Sequence, residues 1–310
     1  MLHTRDKGAV SATMRFIDDS PKWRHEKPYL LLSSGLVDEC PPTNINFVEH
    51  TCVIKDLRYT QPETALGPDL FRLMVHESKY LDSLQQQDND NPYMHETVDL
   101  LKGLFQTDCV IAYNARFRRN QNNYQTLEVN SPGTYGEPDL PSFRAHVDVS
   151  RDCGLRRIQR YLSEEEAQTY LHDSEKWRLR IVNVWRPLCA QVDDTPLAFC
   201  DPRSVNVSDL IAVDRPSENF HSEMYILRNE PNQQWYYLSH QKPHEVFVFV
   251  SWDSDAGQGS VSGIPHSAFH LPDWKDVSQP RESVEVRAIV IESKGNDFRA
   301  TNQLSGKTSS

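Results

Sequence analysis

The sequence predicts a mainly β protein with flanking helices, wound as an antiparallel double sheet of the jelly-roll kind. Two observations carry this. From Val110 onward, short runs rich in β-branched and aromatic residues recur between long, turn-rich connections. Those runs also show no strand–helix–strand alternation, so a parallel α/β sheet is excluded.

Residues 1 to about 50 are rich in Pro and charge, with one apolar cluster at Tyr29-Leu30-Leu31-Leu32, and read as an N-terminal arm with one strand. From 62 to 105 the apolar period lengthens. Phe71, Met74 and Val75 fall at i, i+3, i+4 and Val98, Leu101 and Phe105 at i, i+3, i+7, which predicts two helices. The polar stretch from Gln85 to Pro92 separates them as a loop. Strands follow at 110–113, 179–185, 235–238, 246–250 and 284–291. One amphipathic helix interrupts them at Ser163-Glu164-Glu165-Glu166, where the Ser can cap and the acids suit the positive end of the dipole. After Lys294 too few apolar residues remain to order the tail. The chain reads as one domain, 1–310: arm and helices packed on the body over 1–105, a jelly-roll core over 106–292, and a disordered tail at 293–310.

A formal charge of −11 disfavours nucleic acid as a partner and is a slight argument against a polyanionic substrate. Arg116, Arg118 and Arg119 read as solvated charges at a strand end. No apolar run approaches the ~20 residues of a membrane span, and the N-terminus has no apolar core of a secretory signal. Cys40, Cys52, Cys109, Cys153, Cys189 and Cys200 are scattered without a C-x-x-C pair, which predicts reduced thiols and no structural zinc. The expectation is a cytoplasmic protein acting on a small molecule, without nucleic-acid or membrane partners; a homodimer stays open.

His146-Val147-Asp148 places two ligand side chains two residues apart, so an extended backbone points both to one face. Alone the motif says little, because His221-Ser222-Glu223 has the same form. Its weight comes from Gly263-Ile264-Pro265-His266 and, further on, Pro280-Arg281-Glu282-Ser283 at the head of a strand. Two imidazoles and one carboxylate on one face leave positions open for a bidentate ligand and O2, the facial triad of non-haem Fe(II) oxygenases. Arg281 offers a planar fork to a carboxylate and Ser283 a hydroxyl to the same group. Arg215-Pro216-Ser217 repeats the R-x-S pattern, but no His stands upstream at suitable range. His244, just before a strong strand, is the rival third ligand. It lies far from Arg281 in sequence, and His266 is preferred. His240 and His270 read as surface residues. Arg186, on a strand among Val, Trp and Pro, is costly unless paired; it is either a structural salt bridge or a carboxylate anchor. Asn183 and Tyr236 are candidate donors to a keto acid, and Trp252 could line the substrate pocket.

These blocks, with Asn183-Val184-Trp185-Arg186-Pro187-Leu188, Pro196-Leu197-Ala198-Phe199-Cys200-Asp201, Trp235-Tyr236-Tyr237 and Trp252-Asp253-Ser254, occur in order over roughly 110–292. In this the chain resembles the fungal hydroxylase/desaturase family, which groups the aspergillic-acid cluster oxygenase, the gibberellin desaturase and relatives of the cephamycin methoxylation protein. Fungal oxygenases that close a small amino acid to an aziridine are further candidate kin. The resemblance implies a double-stranded β-helix of cupin-like form. It implies Fe(II) on His146, Asp148 and His266, with 2-oxoglutarate held by Arg281, Ser283, Tyr236 and Asn183, and O2 as oxidant. It implies a small substrate from secondary metabolism, an amino-acid derivative among the candidates, contacted by Arg186 and Trp252 and hydroxylated, desaturated or cyclised with release of succinate and CO2. The chain departs from the family pattern at His244-Glu245-Val246 and at Ser251-Trp252, which bears on the substrate. The rival readings are a cupin-like metal enzyme without a keto acid, a methyltransferase and an inactive partner subunit. A methyltransferase needs a Gly-rich nucleotide loop, and the 12 glycines form none.

Overall fold

The computed structural model describes residues 8–31, 41–67, 69–84, 91–121, 138–217 and 220–294. In chain order the strands are β1 (Ala9–Ile17), β2 (Phe47–Asp56), β3 (Phe71–Val75), β4 (Cys109–Arg119), β5 (His146–Val147), β6 (Trp177–Pro187), β7 (Leu197–Cys200), β8 (Leu210–Ser217), β9 (Phe220–Leu227), β10 (Trp235–Tyr237), β11 (Glu245–Asp253), β12 (His266–Ala268) and β13 (Glu282–Ser293). The helices longer than one turn are α1 (Pro62–Leu66), α2 (Pro92–Phe105), α3 (Gly154–Gln159) and α4 (Glu164–Tyr170). One sheet runs β3-β11-β6-β13-β4 and the other β1-β2-β10-β7-β12-β5-β9-β8. All neighbours are antiparallel except β2 and β10. The two faces meet in a shared core of Trp185, Phe247 and Phe249 from the first sheet with Leu197, Phe199 and Tyr236 from the second, the jelly-roll arrangement expected.

The alternation along β13 orders the first sheet. Val284, Val286, Ala288 and Val290 pack with Val182, Val184, Val246 and Val248 beneath Tyr93, Met94 and Leu101 of α2. Ser283, Glu285 and Arg287 alternate with them and turn toward the second sheet. Helix α2 is capped by Asn91, whose side chain accepts from Met94 N–H, and opens on Pro92, where the missing N–H costs nothing. Helix α4 begins with the capping box expected of Ser163 and Glu166.

Three expectations change. The helix predicted from Phe71, Met74 and Val75 is strand β3, paired with Glu245–Phe249 of β11. Five residues do not separate the periods, since Phe71, Leu73 and Val75 alternate equally well. Phe71 is fixed by ring contacts to Phe199 and Phe247, at centroid distances of 4.9 and 5.4 Å. The N-terminal arm holds two paired strands, β1 and β2, at the edge of the second sheet. Its Tyr29-Leu30 cluster makes only single bridges, to Asp214 and Thr43. The loop expected at 85–92 ends as the cap and first turn of α2. Its residues 85–90, like Leu32, Cys40 and the tail beyond Lys294, lie outside the described residues.

Where β11 ends, Asp253 is buried between Arg178 and Arg180, with Nη2 of Arg178 at 2.6 Å and Nε of Arg180 at 3.0 Å from the same oxygen. Burial pushes its carboxyl up, but the hydrogen bond from Arg178 and the charges of both arginines hold it below the usual range. A depressed folded pKa contributes stability that is present above the unfolded value and is lost as pH falls through the folded one. Asp253→Asn therefore lowers unfolding free energy at neutral pH by about 3 kcal/mol, because two cations lose their buried partner. In urea denaturation the gap between wild type and variant closes as pH falls below about 4.

Candidate metal centre

His146 opens β5, a strand of only two residues that is paired on both sides, to Ile226 of β9 and to His266 of β12. The extended backbone sends Val147 into the apolar core and puts His146 and Asp148 on one face. His266, opposite His146 across the strand pair, brings its ring to a centroid distance of 4.3 Å. Nε2 of His146 lies 3.6 Å from Oδ1 of Asp148, Nε2 of His266 lies 3.9 Å from Oδ2, and one ligand atom from each residue falls within 4.8 Å of the others. Gly263 seats the third member. A Cβ there would stand 2.2 Å from the Ser251 carbonyl oxygen, so only glycine lets the segment before His266 press against β11.

Both imidazoles are held by their far nitrogens. Nδ1 of His146 is 2.6 Å from the Arg144 carbonyl and Nδ1 of His266 is 3.1 Å from that of Ile264. A carbonyl accepts only, so each Nδ1 carries the proton and each Nε2 keeps its lone pair toward the centre. Asp148 is held from the opposite sheet. Asn183 Nδ2 donates to Oδ2 at 2.8 Å, Ser251 Oγ lies 3.3 Å from the same oxygen and donates to Asn183 Oδ1, and Nη2 of Arg287 approaches both oxygens at 3.4 and 3.5 Å. Arg287 is itself held by Glu285 at 2.7 Å. Burial raises the Asp148 carboxyl, but Arg287, followed by the two histidines, holds it well below the carboxylate range. Burial, then the charge of His146, pushes His266 down to about 4. An ionised carboxylate and a neutral imidazole are the forms a metal needs.

The other expected site residues divide. Arg281 is buried, its guanidinium 5.4 Å over the Trp185 ring with Nη1 donating to the Thr195 carbonyl. That places it on the inner side of β6, two residues from Asn183. Ser283 is buried on the same side, with its hydroxyl unpartnered among the described residues. Asn183 is at the centre, but its amide is engaged by Asp148 and Ser251 rather than left for a keto acid. Tyr236 is a correction: its hydroxyl donates to Gln234 and its charged neighbours are Asp201 and Arg203. Arg186 is a second correction, because the pleat turns it to the outer face. There it bonds the Tyr93 hydroxyl, the carbonyls of His76 and Pro243 and the His76 ring, a structural role with no salt bridge among the described residues. Trp252 is a third: it packs with Ile181 and Ile289 and donates to the Arg151 carbonyl, a core residue. His244 sits at the surface near Glu77 and away from the triad. His240 is exposed beside Asp193. His270 is half-buried and stacks on Trp274 at 3.9 Å rather than lying free at the surface.

Ser251, which the sequence marks only as part of a departure from the family pattern, and Glu285 and Arg287, which no motif singles out, are not expected at the centre. The signal for the last two was present: polar residues alternating with Val284, Val286 and Ala288 in a strand too apolar to face water. Arg116 and Arg118, read as solvated, are half-buried, whereas Arg119 is exposed and paired with Glu282 as expected. The described cysteines are free thiols.

A double sheet with a buried two-histidine, one-carboxylate cluster between its layers defines a class of metal-dependent oxidoreductase. The chain belongs to the family described as Oxidoreductase/YMDC permease-like domain, which matches residues 14–291. It is homologous to fungal dioxygenases and hydroxylase/desaturases. It is 28% identical to "Alpha-ketoglutarate-dependent dioxygenase phiK" from Fungal sp. (strain ATCC 74256), over 73% of this chain and 79% of that protein. It is 31% identical to "Hydroxylase/desaturase CTB9" from Cercospora beticola, over 64% of this chain and 63% of that one. Among solved structures, the "iron and alpha-ketoglutarate-dependent endoperoxidase NvfI" shares the fold, with a TM-score of 0.74 at 22% identity, covering 93% of this chain and all of that one.

Asn183 orients the carboxylate ligand, so Asn183→Ala weakens Fe(II) binding by about 10- to 100-fold. Anaerobic metal titration measures this, with circular dichroism as the check that the fold persists.

Proposed function

We propose that this protein is an Fe(II)- and 2-oxoglutarate-dependent dioxygenase that oxidises a C–H bond of a small intermediate of secondary metabolism. The convergence of His146, Asp148 and His266, all buried and each with a ligand atom within 4.8 Å of the others, supports this most directly. The donor set fits Fe(II): two imidazole nitrogens and one carboxylate oxygen would hold the ion and leave the remaining positions to the keto acid and O2. When bound, iron, 2-oxoglutarate and O2 supply the oxidation, with the keto acid converted to succinate and CO2 and a hydrogen atom taken from the substrate.

The chain's own residues supply position and dryness. Arg281 offers a guanidinium pre-oriented by Trp185 and the Thr195 carbonyl, suited to the distal carboxylate of 2-oxoglutarate. The buried hydroxyl of Ser283 would find its missing partner in the same carboxylate; left unmet, such a group costs about 1–3 kcal/mol. Asn183 and Ser251 keep Asp148 oriented, and Arg287 keeps it ionised. The relatives' names, hydroxylase/desaturase and dioxygenase, support a C–H oxidation whose outcome depends on how the pocket holds the substrate. Sheets continuous from β1 to β13 support reading the described residues as one oxygenase domain. Free thiols and a net charge of −11 support a cytoplasmic setting without a nucleic-acid partner.

Anaerobic addition of Fe(II) and 2-oxoglutarate produces the weak visible charge-transfer band of the chelate; a wild type that never develops it does not use this co-substrate. His266→Ala abolishes Fe(II) binding and His244→Ala leaves it intact, and the opposite pattern would move the third ligand. Arg281→Ala weakens 2-oxoglutarate binding by about 1.5–3 kcal/mol with iron still bound, read from the same band.

A further inference from the structure

The inner surface beside the triad carries more positive charge than this reaction uses. Across the β13–β4 pair, Ser283, Glu285 and Arg287 stand opposite Arg118, Arg116 and Asn114, and directly paired residues share a face. Arg116 and Arg118 therefore look inward with Arg287. Arg215 of β8 stands opposite Ser222 of β9, on the same face as Ile226, which pairs with His146. Arg157 of α3 reaches the same region, since it and Arg287 both act on the phenol of Tyr113.

Three of these cations are spoken for. Arg116 pairs with Asp139, Arg287 with Glu285, and Arg118 donates to the Leu140 carbonyl. Two are not. The side chains of Arg157 and Arg215 have no hydrogen bond or ion pair among the described residues, and Nε of each is buried without a partner. Burial, then the charges of Arg116, Arg157 and Arg287, pushes Arg215 down to about 9, and burial followed by Arg116 does the same to Arg118. Half-buried guanidiniums that repel one another, with Nε of each cut off from water, oppose folding when no ligand is bound. Such a conflict is expected where a ligand of opposite charge completes the arrangement. The keto acid is accounted for otherwise, one carboxylate at the metal and the other at Arg281.

We propose that Arg157 and Arg215, backed by Arg116 and Arg118, form an oxyanion receptor for the substrate, so that the molecule oxidised at the triad carries a carboxylate or a phosphate. This rests on the triad being the Fe(II) and 2-oxoglutarate site. A guanidinium fork pairs with either group in two parallel hydrogen bonds.

The test uses the full chain, anaerobic and saturated with Fe(II) and 2-oxoglutarate, probed with isovalerate, with methyl phosphate and with uncharged isovaleramide. At least one anion raises the melting temperature by mass action, and the amide does not. Binding of isovalerate alone assigns a carboxylate, and of methyl phosphate alone a phosphate. The double variant Arg157→Gln, Arg215→Gln binds the anion at least about tenfold more weakly. It melts above wild type when no anion is present, because the repulsion is gone, and it keeps the chelate band and its 2-oxoglutarate dependence. Each single variant reads the same quantities if the double variant does not fold. The proposal fails if neither anion binds, if the variants bind it as wild type does, or if they melt below wild type, which would make the arginines structural. It fails also if 2-oxoglutarate affinity is lost instead, which would make them the keto-acid receptor. Absence of the chelate band in wild type would sink the triad reading, a separate result.

Discussion

A buried carboxylate shared between two sheets organises this protein. Asp148 comes from the eight-stranded sheet with His146 and His266, whereas Arg287 on β13, the largest opposing charge, and Asn183 on β6 and Ser251 on β11, which orient it, come from the other. A charge at that depth is tolerable only if compensated. The compensation is graded, since Arg287 offsets Asp148 and Glu285 offsets Arg287. Arg287 stays at 3.4–3.5 Å from the carboxylate oxygens, longer than a tight ion pair, so it sets their charge without occupying their lone pairs. The contact that joins the layers thus also leaves the ligand ready for a cation.

How much of this the sequence disclosed follows from which features are local. The triad was legible because its parts are: an extended H-x-D, a histidine after Gly-Ile-Pro, and an Arg-x-Ser at the head of a strongly patterned strand. The strands that carry the ligands were not, because β5 has two residues and β12 three. They are extended only through their pairing to β7 and β9, which no window of sequence contains. Arg186 could have been set aside from sequence alone. It lies three residues from Asn183 on one strand, and strand parity cannot aim both at one centre. Trp252 and Ser251 could not be sorted that way. A bulge between Val250 and Trp252 lets successive residues turn inward, Ser251 to Asp148 and Trp252 to the core beside Ile181.

The net charge illustrates the same division between global and local. At −11 it gave a slight argument against a polyanionic substrate, yet the surface beside the triad gathers Arg116, Arg118, Arg157, Arg215 and Arg287. Solvent-exposed carboxylates act through water and salt, and their influence fades within roughly 8–10 Å. Charges inside a water-poor cleft act on one another with far less screening. Net charge therefore speaks to solubility and long-range encounter, whereas the field a bound molecule feels is set by the few groups within reach of it.

That asymmetry explains why the two unpartnered arginines stand where they do. A guanidinium at the surface gains little from a ligand, because water already satisfies it and salt screens it. Held half-buried, with Nε cut off from water, it has given up part of its hydration before the ligand arrives, so more of the pairing energy appears as binding. The cost is borne by the fold, and it is affordable because the apolar layers above and below the site, from α2 through β13 to the aromatic cluster around Phe199, do not depend on it. Stability is concentrated in those layers, and the strained charges are confined to the space between them, beside the His146, Asp148 and His266 cluster.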